Sequence, residues 1–230
     1  MSLLKHETKK MIQIVRPLVL ITTCSQLFAL LFFSLVGKFE GVGEDTFLKE
    51  SESIFSLAST ITMCIIGIMG AIYISKFVVV HYLSPAKERT FLFPVSRKKL
   101  YQNKIQAFAW LFLLTTSVSM ILANILFLPI NSLLNIFDFN FVVLFRAMLL
   151  PIACACIAFA VVLLSQLVGL KKESQLMVLV SAITLVVVVA NVVAISFINF
   201  PMIGISASPI VLAFVLIINN TNHAFLEKEY

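Results

Sequence analysis

The sequence predicts an all-α membrane protein with about six transmembrane helices, an N-terminal interfacial helix, a short helix on the cytoplasmic face, and both termini in the cytoplasm. Three observations lead there. Of its 230 residues 60% are hydrophobic and 12% charged, against about 45–50% and about 25% in soluble domains, and the mean hydropathy is +1.06. The apolar runs last roughly twenty residues or more, the length at which a helix crosses a hydrocarbon core about 30 Å thick. The basic residues fall on alternate connections between those runs. Disorder, collagen-like repeats and disulfide scaffolds are excluded by the apolar content and by only 7 Gly, 7 Pro and 4 Cys. A barrel would instead show alternating stretches of about ten residues.

The expected spans are Pro17 to Gly37, Ile54 to Val80, Ile105 to Leu128, Phe141 to Leu170, Leu176 to Phe197 and Ile203 to Ile218. Five spans is the rival count, because the fourth run contains Arg146 and the sixth is short and contains Pro209. The N-terminal stretch holds Lys5, Lys9, Lys10 and Arg16. The second connection with its flanks holds Lys76, Lys87, Arg89, Arg97, Lys98, Lys99 and Lys104, and Lys171, Lys172 and Lys228 complete that side. Lys38, Lys49 and Arg146 are the remainder of the 17 basic residues. By the positive-inside rule the larger set is cytoplasmic, as are both termini. The net charge of +6 is therefore a topological signature, and no basic soluble domain is present to bind nucleic acid.

Residues 1–16 are expected to form an amphipathic surface helix, with Leu4, Thr8, Met11, Ile12 and Val15 at three- and four-residue steps. The following run is too long for a cleaved leader and reads as a retained signal anchor. Residues 17–230 then form a single transmembrane domain, with no connection large enough for a soluble catalytic domain.

Several chemistries are missing from the sequence. No Gly-x-x-x-x-Gly-Lys-Ser/Thr loop is present for nucleotide, and Gly67 and Gly70 are the only close glycines within a span. His6, His81 and His223 are scattered, so no metal site is expected. Cys154 and Cys156, two positions apart on a helix, point about 200° from one another and read as packing residues. All 11 acidic residues lie in connections, tails or span boundaries, which argues against proton-coupled transport. Arg146 has two readings: a residue snorkelling to the outer interface, or a contact for an anionic group of a substrate. Asn124, Gln166, Asn191 and Asn199 need polar partners at depth, either as bridges between helices or as the lining of a translocation path. Gly67 with Ala71, Cys154 with Ala158 and Cys156 with Ala160 would permit close helix approach.

The second cytoplasmic connection, about residues 84–104, carries the most information. Pro85 and Pro94 bracket just over two helical turns that include Lys87, Glu88, Arg89, Thr90 and Phe91, and Phe91-Leu92-Phe93 would expose a hydrophobic patch unless a membrane or a partner covers it. Ser96 is placed to cap a new helix running from Arg97 into span three. The segment is either a docking element or an interfacial segment obeying the positive-inside rule.

Glu88-Arg89-Thr90-Phe91-Leu92-Phe93-Pro94-Val95-Ser96-Arg97-Lys98-Lys99-Leu100, followed by Lys104, resembles the coupling helix and the Pro-Val-Ser-Arg-like element of permease subunits of ATP-binding-cassette (ABC) transporters. The likeness is to the type-2 exporter class, particularly its short bacterial members. The six-span layout with an N-terminal surface helix is similar too. Many relatives carry Gly-Thr where this chain has Arg89-Thr90, and the large extracellular domain of the bigger drug and lipid exporters is lacking. The resemblance implies a non-catalytic subunit of the bacterial plasma membrane. Lys87, Glu88, Arg89, Thr90, Phe91, Pro94, Ser96 and Arg97 would engage a separate ATPase that holds ATP and Mg, and a second permease chain, identical or related, would complete the complex. The cargo implied is a hydrophobic or amphipathic solute such as an antimicrobial peptide, with Asn124, Arg146 and Asn191 as candidates for its path. The alternative function is a non-transporting scaffold whose basic loop recruits a cytoplasmic partner or membrane lipid.

Overall fold

A computed structural model of the chain describes residues 9, 11–39, 51–82, 97–134, 141–199 and 201–221. Six α-helices account for almost all of them: α1 (Val15–Phe39), α2 (Ser51–Phe77), α3 (Arg97–Leu134), α4 (Phe141–Lys171), α5 (Gln175–Asn199) and α6 (Pro201–Thr221). Each is long and apolar enough to cross a membrane. Even α6, with 21 residues, rises about 31 Å. The architecture is that of a multi-pass, all-helical membrane protein, and no strand occurs among the described residues.

The two spans of uncertain extent are continuous helices. Pro151 lies inside α4 and Pro209 inside α6, and neither ends its helix. At the N-terminus a 3-10 turn, Ile12–Ile14, leads directly into α1. Pro17 falls in the first turn of α1, where a missing N–H costs no helical bond. Of the apolar stripe expected there, Met11 is buried and Ile12 exposed, while Ile14 and Leu18 continue the buried side into the main core. Leu4 and Thr8 lie outside the described residues.

The bundle is organised around α4, which packs against α2, α3, α5 and α6. Its most apolar stretch is 67% buried, against 17% for that of α6. Composition explains the difference. Ala153, Cys154, Ala155, Ala158 and Ala160 give α4 a slender profile that neighbours approach closely. The outer helices turn large aliphatic groups outward, for example Val187, Val188 and Val192 on α5 and Ile210 and Phe214 on α6, at no cost in a hydrocarbon solvent. Cys154 is buried and Cys156 half-buried, and both are free thiols.

Glycine sets the closest approaches on α2. A Cβ on Gly70 would lie 2.7 Å from both Phe112 on α3 and Val162 on α4, whereas one on Gly67 would lie 3.1 Å from Val186 on α5. Phe112 is itself stacked with Phe108 and tilted against Phe159, with ring centroids 5.6 and 5.7 Å apart.

The α4–α5 connection closes with a Schellman arrangement: Ser174 N–H donates to the Gly169 carbonyl (3.1 Å) and Glu173 N–H to the Leu170 carbonyl (3.3 Å). The left-handed position of this motif is held by Glu173, at φ 47°, where a side chain is disfavoured by about 1 kcal/mol relative to glycine. Glu173→Gly is therefore expected to stabilise the protein by about 0.5–1 kcal/mol, the balance being lost to the greater freedom of the unfolded chain. Unfolding in mixed micelles measures it, and a lower midpoint for the variant would contradict the assignment.

Candidate functional site

Chain direction alternates from helix to helix, so the start of α3 and the ends of α2, α4 and α6 share one end of the bundle. That end carries Lys76, Lys171 and Lys172, and the second connection emerges from it between α2 and α3. Lys87, Glu88, Arg89, Thr90, Phe91, Pro94 and Ser96 lie outside the described residues. Arg97 is the first residue of α3, in agreement with the expected helix start after Ser96.

One turn later α3 presents Tyr101, fully buried. Its hydroxyl donates to Asn219 Oδ1 on α6 (2.9 Å) and accepts from Gln166 Nε2 on α4 (2.9 Å). Gln102, next along, donates through Nε2 to Asn220 Oδ1 on α6 (2.7 Å). The helix that continues the second connection is thus fastened to the central helix and to the last one. Tyr101→Phe removes both contacts of the hydroxyl. The expected cost is about 1–2 kcal/mol, since Gln166 and Asn219 lose the partner that joins their helices to α3. A denaturation midpoint unchanged from that of the parent would show the contact to be energetically idle.

A second polar system crosses the opposite half of the bundle. Gln26 on α1, fully buried, donates through Nε2 to Asn124 Oδ1 on α3 (2.9 Å) and to Ser59 Oγ on α2 (3.3 Å). Asn124 Nδ2 in turn donates to the backbone carbonyl of Ala147 on α4 (2.8 Å). The choice of acceptor has a reason. Ala147 is four residues before Pro151, whose ring nitrogen has no hydrogen to give, so this carbonyl is without its helical donor. The asparagine supplies one from another helix. The same repair occurs locally on α6, where the Ser208 hydroxyl donates to the Ile205 carbonyl (2.8 Å) that Pro209 leaves free.

Beside Ala147, the Arg146 Nη1 group donates to both carboxylate oxygens of Glu52 in the first turn of α2, at 2.8 and 2.7 Å. The pair is partly exposed, and Arg146 Nε is buried without a hydrogen-bond partner. An anionic group approaching Arg146 would therefore have to compete with Glu52. Asn191 stands apart: it is exposed on α5 and its Nδ2 bonds the Val187 carbonyl of its own helix (2.9 Å). Asn124 and Arg146 are thus neighbours at the α4 surface, and Asn191 is not with them.

The partners Gln26, Ser59, Glu52, Tyr101 and Asn219 did not emerge from the sequence as site residues. A glutamine in mid-span and a proline four residues after a helical carbonyl were the available signals. No cluster of His, Cys, Asp or Glu suited to a metal ion occurs among the described residues. Compared with known protein families, with curated proteins and with solved structures, the chain matches none.

Proposed function

We propose that this chain is the membrane-spanning subunit of an ATP-driven exporter of the ABC type, working with a separate ATPase subunit and a second permease chain in a bacterial plasma membrane. The observation that carries the reading is the Glu88–Leu100 element, situated where the second connection enters α3. The chain itself has no nucleotide loop, so the energy enters in trans. A pull on the segment around Glu88 and Arg89 passes to Arg97 and, one turn on, to Tyr101. From there the hydrogen bonds to Gln166 and Asn219 hand it to α4 and α6. Two packings of these helices, biased by the nucleotide state of the partner, would alternate access to the two sides of the membrane. The cargo is hydrophobic or amphipathic, a peptide being the first class to test, for export or for self-protection.

The test begins with the tagged chain extracted from its own membrane in mild detergent. Recovery of an ATPase subunit that hydrolyses ATP is expected, together with loss of that subunit when Glu88→Ala, Arg89→Ala and Phe91→Ser are combined. Recovery of the chain alone, or with partners that hydrolyse no ATP, would replace the transporter by the scaffold reading.

A further inference from the structure

At the basic end, α3 and α6 diverge around an open groove of about 460 Å3, a volume within the range of small-molecule sites. Its lining is part polar and part apolar. Gln102 and Gln106 stand four residues apart on one face of α3, with Asn220 on α6. Ile105 and Ala109 on α3 and Leu216 on α6 supply apolar wall. Gln102 to Ala109 spans about 10 Å of helix rise. The apolar wall runs on into the lipid-facing surface, since Leu216 is 38% exposed and Trp110, which follows Ala109, is 60% exposed. The described charged residues at this end are mainly basic. Arg97, Lys98 and Lys99 occupy the first turn of α3, and Lys171 and Lys172 end α4, with Glu173 the lone carboxylate at this end among the described residues.

We propose that this groove binds one anionic phospholipid of the surrounding bilayer. The phosphate sits at the carboxamides of Gln102 and Gln106, whose N–H groups donate to its oxygens, Gln102 keeping one N–H on Asn220. The first part of an acyl chain lies along Ile105, Ala109 and Leu216. Carboxamides alone recognise any phosphodiester; the basic residues at this end, Lys171 and Lys172 among them, select the net negative headgroup, each cation near a membrane surface contributing about 1 kcal/mol. The site is independent of the transport reading, since it requires neither an ATPase nor a cargo.

The test is native mass spectrometry of the full chain, delipidated in detergent and titrated with phosphatidylglycerol or phosphatidylcholine. One phosphatidylglycerol adduct is expected, bound roughly tenfold more tightly than phosphatidylcholine. Ala109→Phe, which fills the groove, should weaken that adduct by about tenfold. Gln102→Leu combined with Gln106→Leu should weaken both lipids by removing the phosphate donors, and it decides the matter if the phenylalanine variant does not fold. Equal affinity for the two lipids, or adducts unchanged in whichever variant folds, would reduce the groove to ordinary annular contact and overturn the proposal.

Discussion

Asn124→Leu is expected to destabilise the bundle by about 2–4 kcal/mol, a large effect for a substitution that keeps the branching and the number of side-chain heavy atoms. The asparagine is 1% exposed and makes two contacts with different helices. Losing it leaves the Gln26 amide with only its longer bond to Ser59, and it strands the Ala147 carbonyl. An orphaned group costs about 1–3 kcal/mol in a site without water, although single interhelical bonds in membranes are often worth less than 1 kcal/mol. The mechanism is separable from a packing defect by a second substitution. Pro151→Ala restores an N–H four residues after Ala147 and lets the helix satisfy its own carbonyl. Pro151→Ala should therefore be more favourable by about 1 kcal/mol in the Asn124→Leu background than in the parent. The double-mutant cycle is measured by unfolding in mixed micelles. An interaction energy of zero would mean that Asn124 and Pro151 act independently.

This pairing shows where sequence reading succeeds and where it stops. Hydropathy located all six helices, because apolar length is a property of one segment and needs no partner. The least regular runs, with Arg146 and Pro151 in one and Pro209 in the other, are continuous helices because their defects are repaired by Glu52, Asn124 and Ser208. Those partners lie up to 94 positions away in sequence. Asn124 and Gln166 were legible as residues in need of a partner, since an amide at membrane depth is costly alone. That the partners are Gln26 and Tyr101 depends on which helices adjoin, which no local pattern encodes. Asn191 carries the same chemical signal yet is satisfied within its own helix, so composition alone does not distinguish a bridge from a self-capped side chain.

The same limit applies to the candidate site. The Glu88–Leu100 element is legible as a motif, but its mechanical meaning lies in what its helix touches next. Arg97 begins α3, and the first fully buried side chain among those described on that helix is Tyr101. A tyrosine near the start of a span would ordinarily read as an interfacial anchor. Here it is enclosed because α4 and α6 end at the same level and bring Gln166 and Asn219 to it.

Gly70→Val is the other substitution with a large expected consequence, with a loss of about 3 kcal/mol or more, at the upper end of the usual cost of overpacking. The cause is enclosure on two sides. A Cβ at position 70 meets Phe112 and Val162 at 2.7 Å, so α2 would be driven from α3 and α4 together. The Phe112 ring is 1% exposed and wedged between Phe108 and Phe159, so it has no vacant rotamer to adopt. Gly67, also on α2, serves as the control. Its Cβ would meet a single Val186 methyl at 3.1 Å, which a few tenths of an ångström of movement relieves. The order expected from unfolding midpoints is therefore parent above Gly67→Ala, then Gly70→Ala, then Gly70→Val. Val162→Ala should restore part of the loss in Gly70→Ala, since it vacates one of the two contacts, whereas the same change in the parent leaves a cavity and destabilises by about 1–2 kcal/mol. Equal costs for alanine at positions 67 and 70 would mean that α2 moves freely against both neighbours. The close three-helix junction at Gly70 would then have no part in holding the bundle together.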